Sequence, residues 1–213
     1  MICGADEAGR GPVLGPLVVA AVSVNDDSEL RRIGVKDSKR LSPLKREELY
    51  PLIMEMCDVE VLQITAERID EARREMSLNR MEAEAFAYVL YPFRGQEIFL
   101  DCVDPNETSF ARLIDSLLGG HSKIVCEHRA DNTYPVVAAA SIVAKVVRDR
   151  AMVKLEKEWG ESLGSGYPSD QKTISFLERW IKDKGNPPPF ARCSWETTRR
   201  LMGLAMNSRI TEW

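Results

Sequence analysis

Histidine is almost missing from this sequence: 213 residues contain 2, His121 and His128, alongside 5 cysteines. Cys3, Cys57, Cys102, Cys126 and Cys193 are odd in number, dispersed, and never in a CxxC pair. That pattern disfavours both a structural zinc site and a disulfide framework, and it points to a reducing, cytoplasmic setting. Cys3, Cys102 and Cys126 sit in apolar, strand-like stretches and read as small core residues. The shortage of histidine also removes support for covalent catalysis, because no Ser–His–Asp or Cys–His set is in evidence. GSGYPSD around Ser165 lacks the G-x-S-x-G spacing of a nucleophile elbow. No apolar run approaches the roughly 18–20 residues of a membrane span. The opening MICGADEAGRG has acids where a signal peptide is apolar, so neither leader nor membrane association is expected. Repeats, low-complexity tracts and obvious linkers are lacking too.

What is present is an ordinary globular composition, 44% hydrophobic and 29% charged, at a length suited to one domain with a small appendage. Residues 2–6 and 17–24 read as buried strands separated by the turn GRGPVLGP. A short helix follows Asp27–Ser28. Ser42–Pro43 is a helix start, an N-cap with proline at the first helical position, and Pro51 is expected to kink or shorten that helix. Residues 59–65 alternate as a third strand. Residues 77–91 read as helix, 97–103 as strand, 108–118 as helix and 123–128 as strand. A long helix capped by Asn132 or Thr133 runs to about Trp159, and further helices are expected over 170–183 and 196–206. This order predicts an α/β fold, a mixed sheet flanked by helices, followed by a helical C-terminal portion.

The informative residues are carboxylates where a strand favours apolar side chains. Asp6 and Glu7 close the first strand, ahead of a glycine turn that would let both converge. Taken alone, the pair is also explained as solvation of a strand end. Asp101 lies in IFLDCV, apolar on both faces, where an unpaired buried carboxylate is costly; an edge-strand acid facing water is the competing reading. Asp131 precedes a helix start, where an anion is stabilised by capping alone. Together, three strand ends each deliver an acid, which is how an α/β sheet assembles a site at its edge. Four carboxylates without histidine or thiolate are hard oxygen ligands for Mg²⁺ or Mn²⁺, and their mutual repulsion calls for divalent ions. Such a set suits phosphodiester hydrolysis at a two-metal site.

Five blocks, DEAGRGPVLGPLVVAAV (6–22), KDSKRLS (36–42), FLDCVD (99–104), EHRADNTYPVVAAASIVAKVVRDR (127–150) and GSGYPSD (164–170), closely resemble ribonuclease HII, the type 2 ribonucleases H. They occur in the family's order, and the chain's compactness is similar to the archaeal form. The resemblance implies a ribonuclease H-like fold over residues 1–160 and a C-terminal helical, substrate-binding subdomain over 161–213. It places the metal-binding and catalytic acids on Asp6, Glu7, Asp101 and Asp131. The family's GRG turn falls on Gly9, Arg10 and Gly11, where glycine lets backbone groups approach a ribose whose 2′-hydroxyl both donates and accepts. Tyr167 matches a tyrosine that packs on the sugar beside the ribonucleotide. Arg46 and Lys145 match residues that contact phosphates, with Lys36 and Lys39 as weaker candidates. Without the resemblance these would read as a tight turn, a loop anchor, an exposed helix charge and a snorkelling lysine.

The implied activity is endonucleolytic hydrolysis of the RNA strand of RNA–DNA hybrids, and incision 5′ to single ribonucleotides embedded in duplex DNA, leaving 3′-hydroxyl and 5′-phosphate ends. A catalytically silent hybrid-binding module, or another nuclease or integrase on the same fold, are the rivals. The intact acids oppose the first, and the GRG turn with Tyr167 opposes the second. Some archaeal members dock on a sliding clamp through a glutamine and paired aromatics. Here MGLAMNSRITEW has neither, so clamp binding is not expected, and a monomer is. The net charge of −4 does not exclude nucleic acid. Residues 140–213 carry 13 Lys+Arg against 9 Asp+Glu, while residues 1–139, with all four acids, carry 16 against 24. Two divalent ions would offset the deficit and leave the basic C-terminal helices to grip phosphates.

Overall fold

The computed structural model describes residues 1–35 and 41–210, without the side chains of 206–210. Lys36 and Lys39 lie outside the described residues. The elements, in order, are β1 (Ile2–Ala8), β2 (Leu17–Val24), α1 (Ser28–Ile33), α2 (Pro43–Met56), β3 (Asp58–Ile64), α3 (Ala66–Glu75) and α4 (Leu78–Leu90). They continue with β4 (Glu97–Asp101), α5 (Glu107–Leu117), β5 (Lys123–Glu127), α6 (Pro135–Trp159), α7 (Gln171–Lys184) and α8 (Glu196–Ile210). The five-stranded sheet has the order β3-β2-β1-β4-β5. β1 runs antiparallel to β2 and parallel to β4, and β4 runs parallel to β5. The expected mixed sheet is therefore present.

Local chemistry explains most boundaries. Ser42, Thr65, Ser77, Asn106 and Asp170 each accept a backbone N–H from the first turn of the helix that follows. α2 continues through Pro51, so the helix is not shortened there. An interior proline costs about 3 kcal/mol, but Leu49 and Ile53 on either side of it are fully buried, at about 1.5–3 kcal/mol each. Helix α3 was not foreseen, because Ala66 and Ile69 are its only buried residues and the apolar period is too sparse to show. β1 reaches Ala8 rather than stopping at Asp6: Glu7 and Ala8 stay in register with Val19 and Val18, and the chain turns only at Gly9.

The packing divides into two compact units. The first comprises Met1–Ala8, Val18–Gln63 and Ser77–Val147; the second comprises Gly9–Leu17, Ile64–Met76 and the chain from Arg148 onward. In the first unit, the stretch from Val136 to Ala144 is buried without a break and forms one core with Val18, Ala20 and Val22 of β2. A helix segment apolar on every side belongs inside, and this one is. It comes so close to the sheet that a Cβ added at Gly4 would lie 2.5 Å from the Val136 carbonyl carbon and the Val137 nitrogen. In the second unit, Val13, Leu14, Met152, Leu163, Phe176, Ile181 and Phe190 form a separate core, with Trp159 and Trp180 edge-on to each other.

Candidate active site

Three parallel strands end side by side. The register Ala5↔Leu100 between β1 and β4, and Asp101↔Glu127 between β4 and β5, brings Asp6, Asp101 and the turn after Glu127 to the same carboxyl edge. That turn, a short 3-10 segment over Ala130–Asn132, is entered through Arg129 in the left-handed region at φ 61° and carries Asp131, which is buried. The Ala130 N–H donates to Asp101 Oδ1 at 2.8 Å, so Asp101 is tied to the residue beside Asp131. Asp6, Asp101 and Asp131 thus share one edge, in the first unit.

Asp6 is buried, and its Oδ1 accepts the Glu7 N–H at 2.7 Å. Burial pushes its carboxyl well above the usual range, and the neighbouring Glu7 pushes it further; a Ser141 hydrogen bond and the Lys145 charge oppose the shift. Lys145 Nζ donates to Ser141 Oγ at 2.7 Å, which links serine, lysine and acid. Glu7 is raised as well, first by burial, with Glu82 and Asp101 adding repulsion. Glu82 of α4 is wholly buried and did not emerge from the sequence reading. Its signal was present: it is spaced three, four and seven residues from the buried Ala85, Phe86 and Val89, placing an acid on an apolar stripe.

The donor set suits a hard divalent ion. The buried Oε2 of Glu7 has no hydrogen-bond partner, a costly position for a carboxylate oxygen unless a cation meets it. Among the described residues, no three His, Cys, Asp or Glu side chains draw together tightly enough to enclose an ion. Arg46 of α2 donates to the Leu41 carbonyl at 2.9 Å. His121 and His128 are exposed and lie on either side of β5 in the chain, and His128 Nδ1 is 3.2 Å from the Cys102 carbonyl. Cys3, Cys102 and Cys126 are buried as expected, and all five cysteines are free.

The second unit gathers the remaining expected residues. Gly9 has φ +91°. The Val13 and Leu14 N–H groups both donate to the Gly166 carbonyl, at 2.8 and 3.2 Å, which brings the loop after β1 to Tyr167. A Cβ added at Gly11 would lie 3.6 Å from Tyr167 Cε1. Tyr167 is partly exposed, and the buried Arg148 guanidinium sits 5.2 Å from its ring centroid while donating to the Ser165 carbonyl at 2.9 Å. Nothing local in the sequence marks Arg148, nineteen positions before Tyr167; the fold brings the two together.

Residues 3–198 match the family model described as Ribonuclease HII. The chain belongs to the ribonuclease HII family. It is 46% identical over 213 residues to the ribonuclease HII of Methanoregula boonei, covering all of both chains. The crystal structure of the ribonuclease H2 from Pyrococcus horikoshii OT3 matches it with a TM-score of 0.89 and 42% identity, over 96% of this chain and 98% of that one. The ribonuclease HII in a PCNA complex from Archaeoglobus fulgidus matches with a TM-score of 0.86 and 40% identity, over 94% and 96%. Family membership makes the protein a nuclease of the ribonuclease H type that depends on divalent metal. The fold is that of the family. The Archaeoglobus relative is named with PCNA, a sliding clamp, so the expectation of no clamp docking gains no support, and Trp213 lies outside the described residues.

Proposed function

We propose that this ribonuclease H cuts the RNA strand of RNA–DNA hybrids and also incises duplex DNA 5′ to a single embedded ribonucleotide, leaving 3′-hydroxyl and 5′-phosphate ends. The observation that carries this reading is the carboxyl edge of β1, β4 and β5, where Asp6 follows the last residue of β1 paired with β4, Asp101 ends β4, and Asp101 is bonded to the turn holding Asp131. Asp6, Glu7, Asp101 and Asp131 are the residues that would hold two divalent ions, Mg²⁺ or Mn²⁺. Such ions, when bound, supply Lewis-acid polarisation of the phosphodiester and a lowered pKa for water.

The protein's own side chains do the rest. Ser141 orients the Asp6 carboxylate, and Lys145, held on Ser141, supplies positive charge for a phosphate, as does Arg46. In the second unit, the Gly9–Arg10–Gly11 backbone reads the 2′-hydroxyl, and Tyr167, beside Gly11, packs on the adjoining sugar. Residues 161–213 act as a substrate-binding subdomain, and the protein works as a monomer.

The test compares two duplexes identical except for one ribonucleotide, in Mg²⁺, by denaturing gel. Nicking of the ribonucleotide duplex, with the all-DNA duplex left intact, is the expected result. Equal cutting of both would remove the ribose reading while leaving the family assignment standing.

A further inference from the structure

Arg192 is the largest wholly buried side chain among the described residues, and the sequence assigned it nothing. It lies in the segment before α8, and its guanidinium is spent on one loop: Nη2 donates to the Gly9 carbonyl at 2.6 Å, Nη1 to the Arg10 carbonyl at 3.0 Å, and Nε and Nη2 to the Gly15 carbonyl at 3.1 Å each. Its own N–H donates to the Val13 carbonyl at 2.8 Å. The Trp195 ring backs the guanidinium, 4.8 Å from Cζ to centroid. Taking a guanidinium out of water is costly, and these charge-assisted bonds in a planar fork offset that cost.

The consequence is directional. No peptide bond among the described residues is cis, and across a trans peptide the C=O and the next N–H point in opposite directions. With the Gly9 and Arg10 carbonyls both turned onto Arg192, the N–H groups of Arg10 and Gly11 both point away from it. Two successive N–H groups facing one way form a concave donor site for an electronegative oxygen. A charge-assisted bond at each carbonyl oxygen also polarises the peptide and strengthens its N–H as a donor. Gly11, the second of these donors, is the residue that lies against Tyr167.

We propose that Arg192 is a positioning residue for ribose selection, holding the Gly9 and Arg10 peptides so that the Arg10 and Gly11 N–H groups form a donor pair for the 2′-hydroxyl oxygen. This rests on the ribose reading given above. The effect of Arg192 on the substrate passes through the loop it holds.

The test uses the full chain in Mg²⁺, cleaving a single-ribonucleotide duplex with the all-DNA duplex as competitive inhibitor. The readout is the ratio of the all-DNA Ki to the ribonucleotide-duplex KM. Wild type is expected to give a ratio on the order of 10 or more, the value of one or two hydrogen bonds. Arg192→Lys keeps the charge but loses the fork, and should bring the ratio close to 1 with the all-DNA Ki changed by less than about twofold. A ratio retained by Arg192→Lys overturns the positioning role alone. A wild-type ratio near 1 overturns the ribose reading instead. Thermal unfolding is followed in parallel. Should Arg192→Lys not unfold cooperatively, Trp195→Leu takes its place, since it removes the backing ring and leaves the guanidinium; a fallen ratio supports the role and an unchanged one overturns it.

Discussion

Asp6→Asn is expected to reduce cleavage by on the order of 10³-fold or more at saturating Mg²⁺, while making the metal-free protein more stable at pH 8. The first effect follows from removing a charge that would hold the ions at the reacting phosphate. The second follows from burial. Asp6 is buried beside Glu7, and its carboxyl is raised well above the usual range, so the folded state resists its ionisation. A carboxyl raised in the folded state contributes full stability below its unfolded pKa of about 4, and that contribution is lost as pH rises towards the folded value. Asparagine keeps an oxygen for the Glu7 N–H and for Ser141 but never ionises. The advantage of the variant should therefore vanish near pH 4 and grow towards pH 8, by about 2–4 °C in Tm for each kcal/mol relieved. Thermal unfolding in EDTA across that range, with a cleavage assay in Mg²⁺, measures both. A variant less stable than wild type at pH 8 without metal would contradict the electrostatic account of the site.

Gly4→Ala should cost about 3 kcal/mol or more, the upper end of the penalty for overpacking a core. The added methyl would meet the Val136 carbonyl carbon and the Val137 nitrogen at 2.5 Å, and both are backbone atoms at the start of α6. A flexible side chain could turn aside, but a helix packed into the core has to shift as a body. Tm should fall by about 6–12 °C at 2–4 °C per kcal/mol, a drop readable by thermal unfolding. The damage should also reach activity, since β1 carries Asp6 and Glu7 while α6 carries Ser141 and Lys145. An unchanged Tm would mean that the approach of helix to strand is looser than described.

The gathering of Asp6, Asp101 and Asp131 at one sheet edge was legible because each is an exception to a strong rule. Asp101 interrupts an apolar strand, and Asp131 sits between strand and helix, so their convergence follows from sheet topology. The turn after β1 was misplaced because a pattern reading treats charge as the end of a strand. Glu7 nevertheless stays in the ladder opposite Val19, and only Gly9, with its positive φ, lets the chain leave. Helix α3 left too faint an apolar period, although the Thr65 cap was readable. Glu82 was half-legible, as an acid on a buried stripe. Arg192 could not be read at all: its partners lie 177 to 183 residues away, and no local spacing records such a contact.

The most direct test of the central claim is the chemistry of the cut ends. A duplex with one ribonucleotide, labelled at each end in turn, is nicked in Mg²⁺, and the upstream fragment is offered to a DNA polymerase. Hydrolysis by water on the 5′ side of the ribonucleotide yields an extendable 3′-hydroxyl on a deoxynucleotide and a 5′-phosphate on the ribonucleotide, and EDTA abolishes the reaction. A fragment ending in a 2′,3′-cyclic phosphate on the ribonucleotide, or formed equally well in EDTA, would contradict it, because attack by the 2′-hydroxyl needs neither the four carboxylates nor the ions they are held to bind.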